Sequence, residues 1–262
     1  MPPHLPDPAA RQAAPDAALP ASGVDMRRTP GERPAYTRAE WLSDAVVHVL
    51  GVGLALVAVP VLVTLAVLWR GEPDVVLAAL VYGATMLAML GCSAIYNITH
   101  GCAWTGLFRR LDHTAIFLKI AGTYTPFAVL SGAHAGPLIA GLWGAAAVGA
   151  GLKIFAPHRF KLLSVALCLG MGWAGVVVGQ EIISGLSPGV FALMLTGGLL
   201  YTAGVVFFLW ASLPFHNTIW HVFVLAATAV FYVAVVVQLH HAPAGLPAGD
   251  PMSLLRPAAE AG

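Results

Sequence analysis

The sequence predicts an all-α membrane protein: a seven-transmembrane helix bundle with its N-terminus cytoplasmic and its C-terminus outside. Three observations lead there. Apolar residues make up 58% of the 262-residue chain and charged residues only 10%, whereas a soluble domain carries about a quarter charged residues. Apolar runs of roughly twenty residues or more recur along the chain, each enough to cross a hydrocarbon core about 30 Å thick. Basic residues crowd the breaks between runs on one side only.

The runs read as spans over 43–69, 75–97, 111–131, 136–155, 160–180, 189–213 and 216–239. Turn chemistry separates them: "RGEPD" at 70–74, "APHR" at 156–159, "SGLSPG" at 184–189 and "SLPF" at 212–215. Residues 1–37 and 241–262, rich in Ala and Pro, read as disordered tails around one transmembrane domain, 38–240. The N-terminal tail has no apolar stretch of the signal-peptide kind. Gly141, Ala145 and Gly149 repeat at four-residue spacing, a stripe that lets helices approach closely in lipid. Cys92, Cys102 and Cys168 form no CxxC pair and read as buried, inert thiols.

Orientation follows from charge. Arg27, Arg28, Arg33 and Arg38 precede the first span. Arg109 and Arg110 lie between the second and third, and Lys153, Arg159 and Lys161 flank the loop between the fourth and fifth. The opposite loops carry little besides Arg70, and the C-terminal tail adds Arg256. The positive-inside rule then puts the N-terminus in the cytoplasm. A net charge of +1 gives no ground for a nucleic-acid partner; the expected partner is membrane lipid.

Polar side chains collect on that same cytoplasmic side. Asp44 and His48 stand one turn apart near the start of the first span, and Ser93 and Asn97 one turn apart at the end of the second. Asp112 and His113 open the third span; His216, Asn217 and His221 open the seventh. An ionisable group within a membrane costs several kcal/mol unless it faces the bundle interior or a partner. Asp112 and His221 are therefore expected to point inward. Taken singly, Asp112 also reads as a helix N-cap, and His221 as an interfacial histidine bonded to a carbonyl. Lys119 lies seven residues after Asp112 on the same helix face. It would snorkel, pair with a carboxylate or line a wet cavity. The "GTYTP" stretch, Gly122 to Pro126, is expected to bend the helix, its threonine hydroxyls serving freed backbone groups.

Three stretches, "SAIYN", "RRLDHTAIFLKIAGTYTPF" and "IWHVFVL", with "SDAVVHVLG" around His48, resemble the hemolysin III family. That family is the bacterial branch of the progestin and adipoQ receptor group, in a wider set that includes the alkaline ceramidases. The resemblance spans about residues 38–240 and implies seven helices, a cytoplasmic N-terminus and the bacterial inner (plasma) membrane. It also implies a zinc site of three histidines, one on the second helix and two on the seventh. An Asp at the start of the third helix and a Ser on the second would orient water. Ser93, Asp112 and His221 match; Asn97 and Asn217 stand where two of the histidines are expected.

The two amides alter the chemistry. Catalytic zinc takes imidazole, thiolate or carboxylate ligands, and a neutral amide oxygen suits harder cations better. At about 100° per residue, His100 lies near the Asn97 direction and a turn further out, whereas His216 points well away from His221. His48 is the better substitute, which makes His48, Asp112 and His221 a candidate set for zinc or another divalent metal. The competing account is a metal-free hydrogen-bond network that includes Asn97, Asn217, Lys119 and Asp44. Three functions follow. One is a metal-dependent lipid amide hydrolase, with Asp112 and Ser93 catalytic. The second is a non-catalytic membrane sensor, homeostasis regulator or cytolysin-type protein; the third is a small channel drawing on Lys119.

Overall fold

The computed structural model describes residues 37–99, 103–132, 135–156 and 160–241. These form helices, with no strand among the described residues. The order is α1 (Arg38–Trp69), α2 (Pro73–Ile98), α3 (Thr105–Leu130), α4 (Gly136–Phe155), α5 (Lys161–Val178), α6 (Gln180–Ser184), α7 (Pro188–Leu209) and α8 (His216–His241). Both expected tails beyond Thr37 and His241 lie outside the described residues, as do Cys102, Arg159, His100, His134 and His158.

Six helices, α1, α2, α4, α5, α7 and α8, are long and apolar enough to cross a membrane. Their outer faces support that reading. On α1, Leu54, Val57 and Leu68 are 62%, 67% and 73% exposed. In water such a continuous apolar face would be a liability; in lipid it costs nothing. The exception is α3, whose 26 residues give it the length to span but which includes Asp112, His113, Lys119 and the Thr-Tyr-Thr-Pro stretch.

Helix α3 occupies the interior, packing on α2, α4, α5 and α8. One apolar core gathers Leu62, Tyr82, Met86, Phe127 and Val235 from α1, α2, α3 and α8. A second joins Phe117 and Tyr124 of α3 to Leu142, Ala146 and Met171 of α4 and α5. Close approach depends on particular glycines. A Cβ on Gly149 would come within 2.5 Å of the Phe117 ring, whereas one on Gly141 meets nothing within 4 Å. Of the four-residue stripe, then, Gly149 serves packing and Gly141 does not.

Helix ends differ from the apolar spans for a physical reason. Hydropathy marks where lipid begins, while a helix continues wherever its backbone bonds can. Helix α1 begins at Arg38, where Thr37 accepts from the Glu40 backbone N–H and Glu40 reaches back to the Thr37 N–H, a reciprocal capping box. Helix α3 begins at Thr105, so Arg109 and Arg110 are helical and Asp112 and His113 lie about two turns inside. Asp112 is therefore not an N-cap. The 160–180 run divides: α5 stops at Val178 and a single turn, α6, follows Gly179. At the α1–α2 break Gly71 takes a positive φ of 73°, a conformation a Cβ resists. Pro73 then starts α2, where a missing N–H is harmless.

Within α3, Pro126 leaves the Gly122 carbonyl without its helical donor. The hydroxyls of Thr123 and Thr125 donate instead to carbonyls that precede Gly122, those of Lys119 at 2.7 Å and Ala121 at 3.1 Å.

Candidate functional site

Helices α1 and α8 pack side by side, and their first turns are joined by polar contacts. The Glu40 carboxylate accepts from the Phe215 N–H at 3.0 Å, and the Ser43 and Thr218 hydroxyls lie 3.0 Å apart. One turn further in, the i, i+4 pair Asp44 and His48 meets the i, i+4 pair Asn217 and His221. Spacing of four turns each pair to a common face, and the opening turns set the two helices in register.

Asp44 is the hub. Its Oδ1 lies 2.6 Å from His221 Nδ1, and its Oδ2 accepts from Asn217 Nδ2 at 3.2 Å. His48 Nε2 is 3.5 Å from the same Oδ2. The two imidazoles face one another, ring centroids 4.3 Å apart and tilted by 59°. Asp44, His48 and His221 are 7%, 5% and 8% exposed, and each offers one ligand atom within 4.8 Å of the others. Buried polar atoms are nearly always hydrogen-bonded, yet among the described residues His48 Nε2 has only its long approach to Asp44 and no hydrogen bond.

This donor set fits a divalent transition metal. Two imidazoles and a carboxylate are the protein ligands of one common class of catalytic zinc site. The orphaned His48 nitrogen is an available ligand atom. The short contact between Asp44 Oδ1 and His221 Nδ1 keeps the carboxylate and that imidazole facing one another, and an ion held by all three side chains would replace it.

The remaining candidates form a separate line along α2 and α3. Asn97 Nδ2 donates to the Ser93 carbonyl at 2.9 Å and to Ser93 Oγ at 3.3 Å. Asp112 is buried at 9% exposure. Its neighbour His113 places Nδ1 2.6 Å from the Arg109 carbonyl and 4.0 Å from the Asp112 carboxylate, so His113 does not neutralise it closely. Asp112 is outside the group of three mutually close ligands, and Asp44 holds the carboxylate place in it. Asn217 joins Asp44, while Asn97 bonds to Ser93. Lys119 is 3% exposed and sets Nζ 3.5 Å from the centroid of the Tyr82 ring. Among the described residues neither that Nζ nor the Tyr82 hydroxyl has a hydrogen-bond partner. Lys119 thus neither snorkels nor pairs with a carboxylate.

The fold and the site define a class: an all-helical integral membrane protein with buried carboxylate and imidazole groups drawn together between its first and last helices. Residues 37–232 match the family described as "Haemolysin-III related". The chain is 35% identical over 203 residues to "Hemolysin-3 homolog" of Bacillus subtilis (strain 168), covering 76% of this chain and 94% of that one. It is 36% identical over 200 residues to "Hemolysin-3" of Bacillus cereus, covering 75% and 90%. "Monocyte to macrophage differentiation factor" of Homo sapiens is 31% identical over 204 residues, covering 72% and 82%. The chain belongs to the haemolysin III family.

Proposed function

We propose that this chain is a metal-dependent membrane hydrolase acting on a lipid amide, with its metal held by Asp44, His48 and His221. The carrying observation is the meeting of those three buried side chains, one of them with an orphaned nitrogen. The hydrolase class rests on the likeness to the alkaline ceramidases. The chain crosses the inner membrane seven times, α3 included and α6 excluded. The N-terminus is cytoplasmic, so the site lies at the cytoplasmic ends of α1, α2, α3 and α8.

A bound divalent ion would polarise the amide carbonyl and lower the pKa of a water molecule. The chain's own groups do the rest. Asp44, His48 and His221 would hold the ion, and Asn217, which donates to Asp44 Oδ2, keeps that carboxylate oriented. Asp112 would take a proton from the attacking water as general base and return it to the amine nitrogen as the C–N bond breaks. Ser93, fixed by Asn97, positions the water. Burial among apolar helices excludes bulk water and strengthens each of these contacts.

Elemental analysis of the detergent-purified chain tests the reading. One divalent ion per chain is expected, lost in His48→Ala and His221→Ala and retained in Asp112→Ala. The last variant should abolish turnover of an N-acyl sphingoid lipid. If the wild type neither carries nor takes up a stoichiometric metal, the hydrolase reading fails.

One observation favours a second reading, a non-catalytic sensor or regulator: Asp44 is already bonded by His221 and Asn217, so the network can close without an ion. It predicts that Asp112→Ala alters response or assembly while no amide is cleaved by either protein. The lytic activity in the relatives' names would belong to this reading.

A further inference from the structure

We propose that Arg109, Lys153 and Lys161 form a binding site for the phosphate headgroup of an anionic phospholipid, separate from the Asp44 centre. The sequence sets up the imbalance: from residue 113 to residue 180 no carboxylate occurs, while Lys119, Lys153, Arg159 and Lys161 do. The fold then concentrates it. Helices α3, α4 and α5 pack against one another. They bring Arg109 at the start of α3, Lys153 at the end of α4 and Lys161 at the start of α5 to one end of the bundle. Cys168, Arg109 and Lys161 are the ionisable neighbours of Lys153, and α4 and α5 carry no carboxylate to offset the cations.

Lys153 carries the inference furthest. A cation serving only to orient the chain would extend into solvent along its whole length, but Lys153 is 6% exposed, its side chain enclosed between helices. A lysine enclosed at the end of the bundle where Arg109 and Lys161 also lie is matched by an oxyanion. The depth suits a headgroup. Trp104, Phe155 and Phe160, 64%, 88% and 50% exposed, surround this end, as aromatic side chains do at the membrane–water interface. Lys161 is itself exposed and rests its Nζ 4.8 Å from the Phe208 ring centroid. Basic pockets between transmembrane helices bind anionic headgroups in this way, and the bilayer around the chain supplies the ligand.

Native mass spectrometry of the full chain in detergent, titrated with phosphatidylglycerol and with phosphatidylcholine, tests it. Phosphatidylglycerol should be retained in clear preference. Lys153→Gln and Lys161→Gln should each weaken retention about fivefold and together about 25-fold, with Lys153→Arg near wild type. Arg38→Gln, a charge at the same end but off the cluster, should leave retention unchanged. Lys161 is exposed, so its variant reports even where Lys153→Gln does not fold. Equal retention of the two lipids, or undiminished phosphatidylglycerol in Lys161→Gln, overturns the proposal. Complete displacement by excess inorganic phosphate also overturns it, because the ligand would then be a free anion.

Discussion

Removing the Asp44–His221 contact gives the sharpest test of how the first and last helices are joined. The perturbation is a double-mutant cycle: Asp44→Ala, His221→Ala and the pair. The contact is short, 2.6 Å, and both residues are under a tenth exposed. A hydrogen bond to a charged group contributes about 1.5–3 kcal/mol in water-soluble proteins. Within membranes measured couplings average about 0.6 kcal/mol and reach about 1.7, because the unfolded chain in lipid also finds partners. A short, charge-assisted, fully enclosed bond belongs at the upper end, so the expected coupling is about 1.5 kcal/mol. Each single change should cost more than the coupling, since Asp44→Ala also leaves Asn217 and His48 facing a void. The assay is reversible unfolding of the detergent-solubilised chain by increasing SDS, followed by helical circular dichroism with and without chelator. In the metal-loaded protein the coupling should rise further. A coupling below about 0.5 kcal/mol in both states would refute the claim that this contact clamps α1 to α8.

Three further outcomes are expected. Gly149→Ala should destabilise by about 1–3 kcal/mol, as overpacking does, because its Cβ would meet the Phe117 ring within 2.5 Å; Gly144→Ala, with nothing within 4 Å, should be neutral, both read as melting temperature in detergent. Lys119→Met should raise that temperature, because it replaces an unpartnered buried amine with an apolar chain of similar length; a large loss instead would point to a function for the amine, and ion flux in reconstituted vesicles that Lys119→Leu abolishes would assign it to conduction. Thr37→Ala should cost about 1 kcal/mol through loss of the α1 cap, measurable as faster amide exchange in the first turn of α1.

The helical, membrane-embedded character was legible because lipid imposes it on composition and run length, and both are local properties of the chain. Which polar groups meet was only half legible. The four-residue spacings of Asp44 with His48 and of Asn217 with His221 could be read directly, and each fixes a face. That α1 and α8 would bring those two faces together is a matter of packing between segments 170 residues apart in the chain, which no local pattern reports. The resemblance drew attention to Asp112, while the carboxylate that reaches both imidazoles is Asp44. The start of α3 was missed for a related reason. Arg109 and Arg110 end the apolar run without ending the helix, since arginine is a good helix former.

The most polar of the long helices is also the one most enclosed by its neighbours, and this bears on how the protein is made. A lone lysine near the middle of a segment costs about 3 kcal/mol on the scale of translocon-mediated insertion, and Lys119 holds that place in α3. Once folded, the amine rests on the Tyr82 ring of α2, a contact that does not exist when α3 first leaves the ribosome. The third segment should therefore enter the bilayer as a hairpin with one of its neighbours. A nascent chain halted after α4, with α2 already made, should hold the third segment in the bilayer, and Tyr82→Ala in α2 should weaken that insertion.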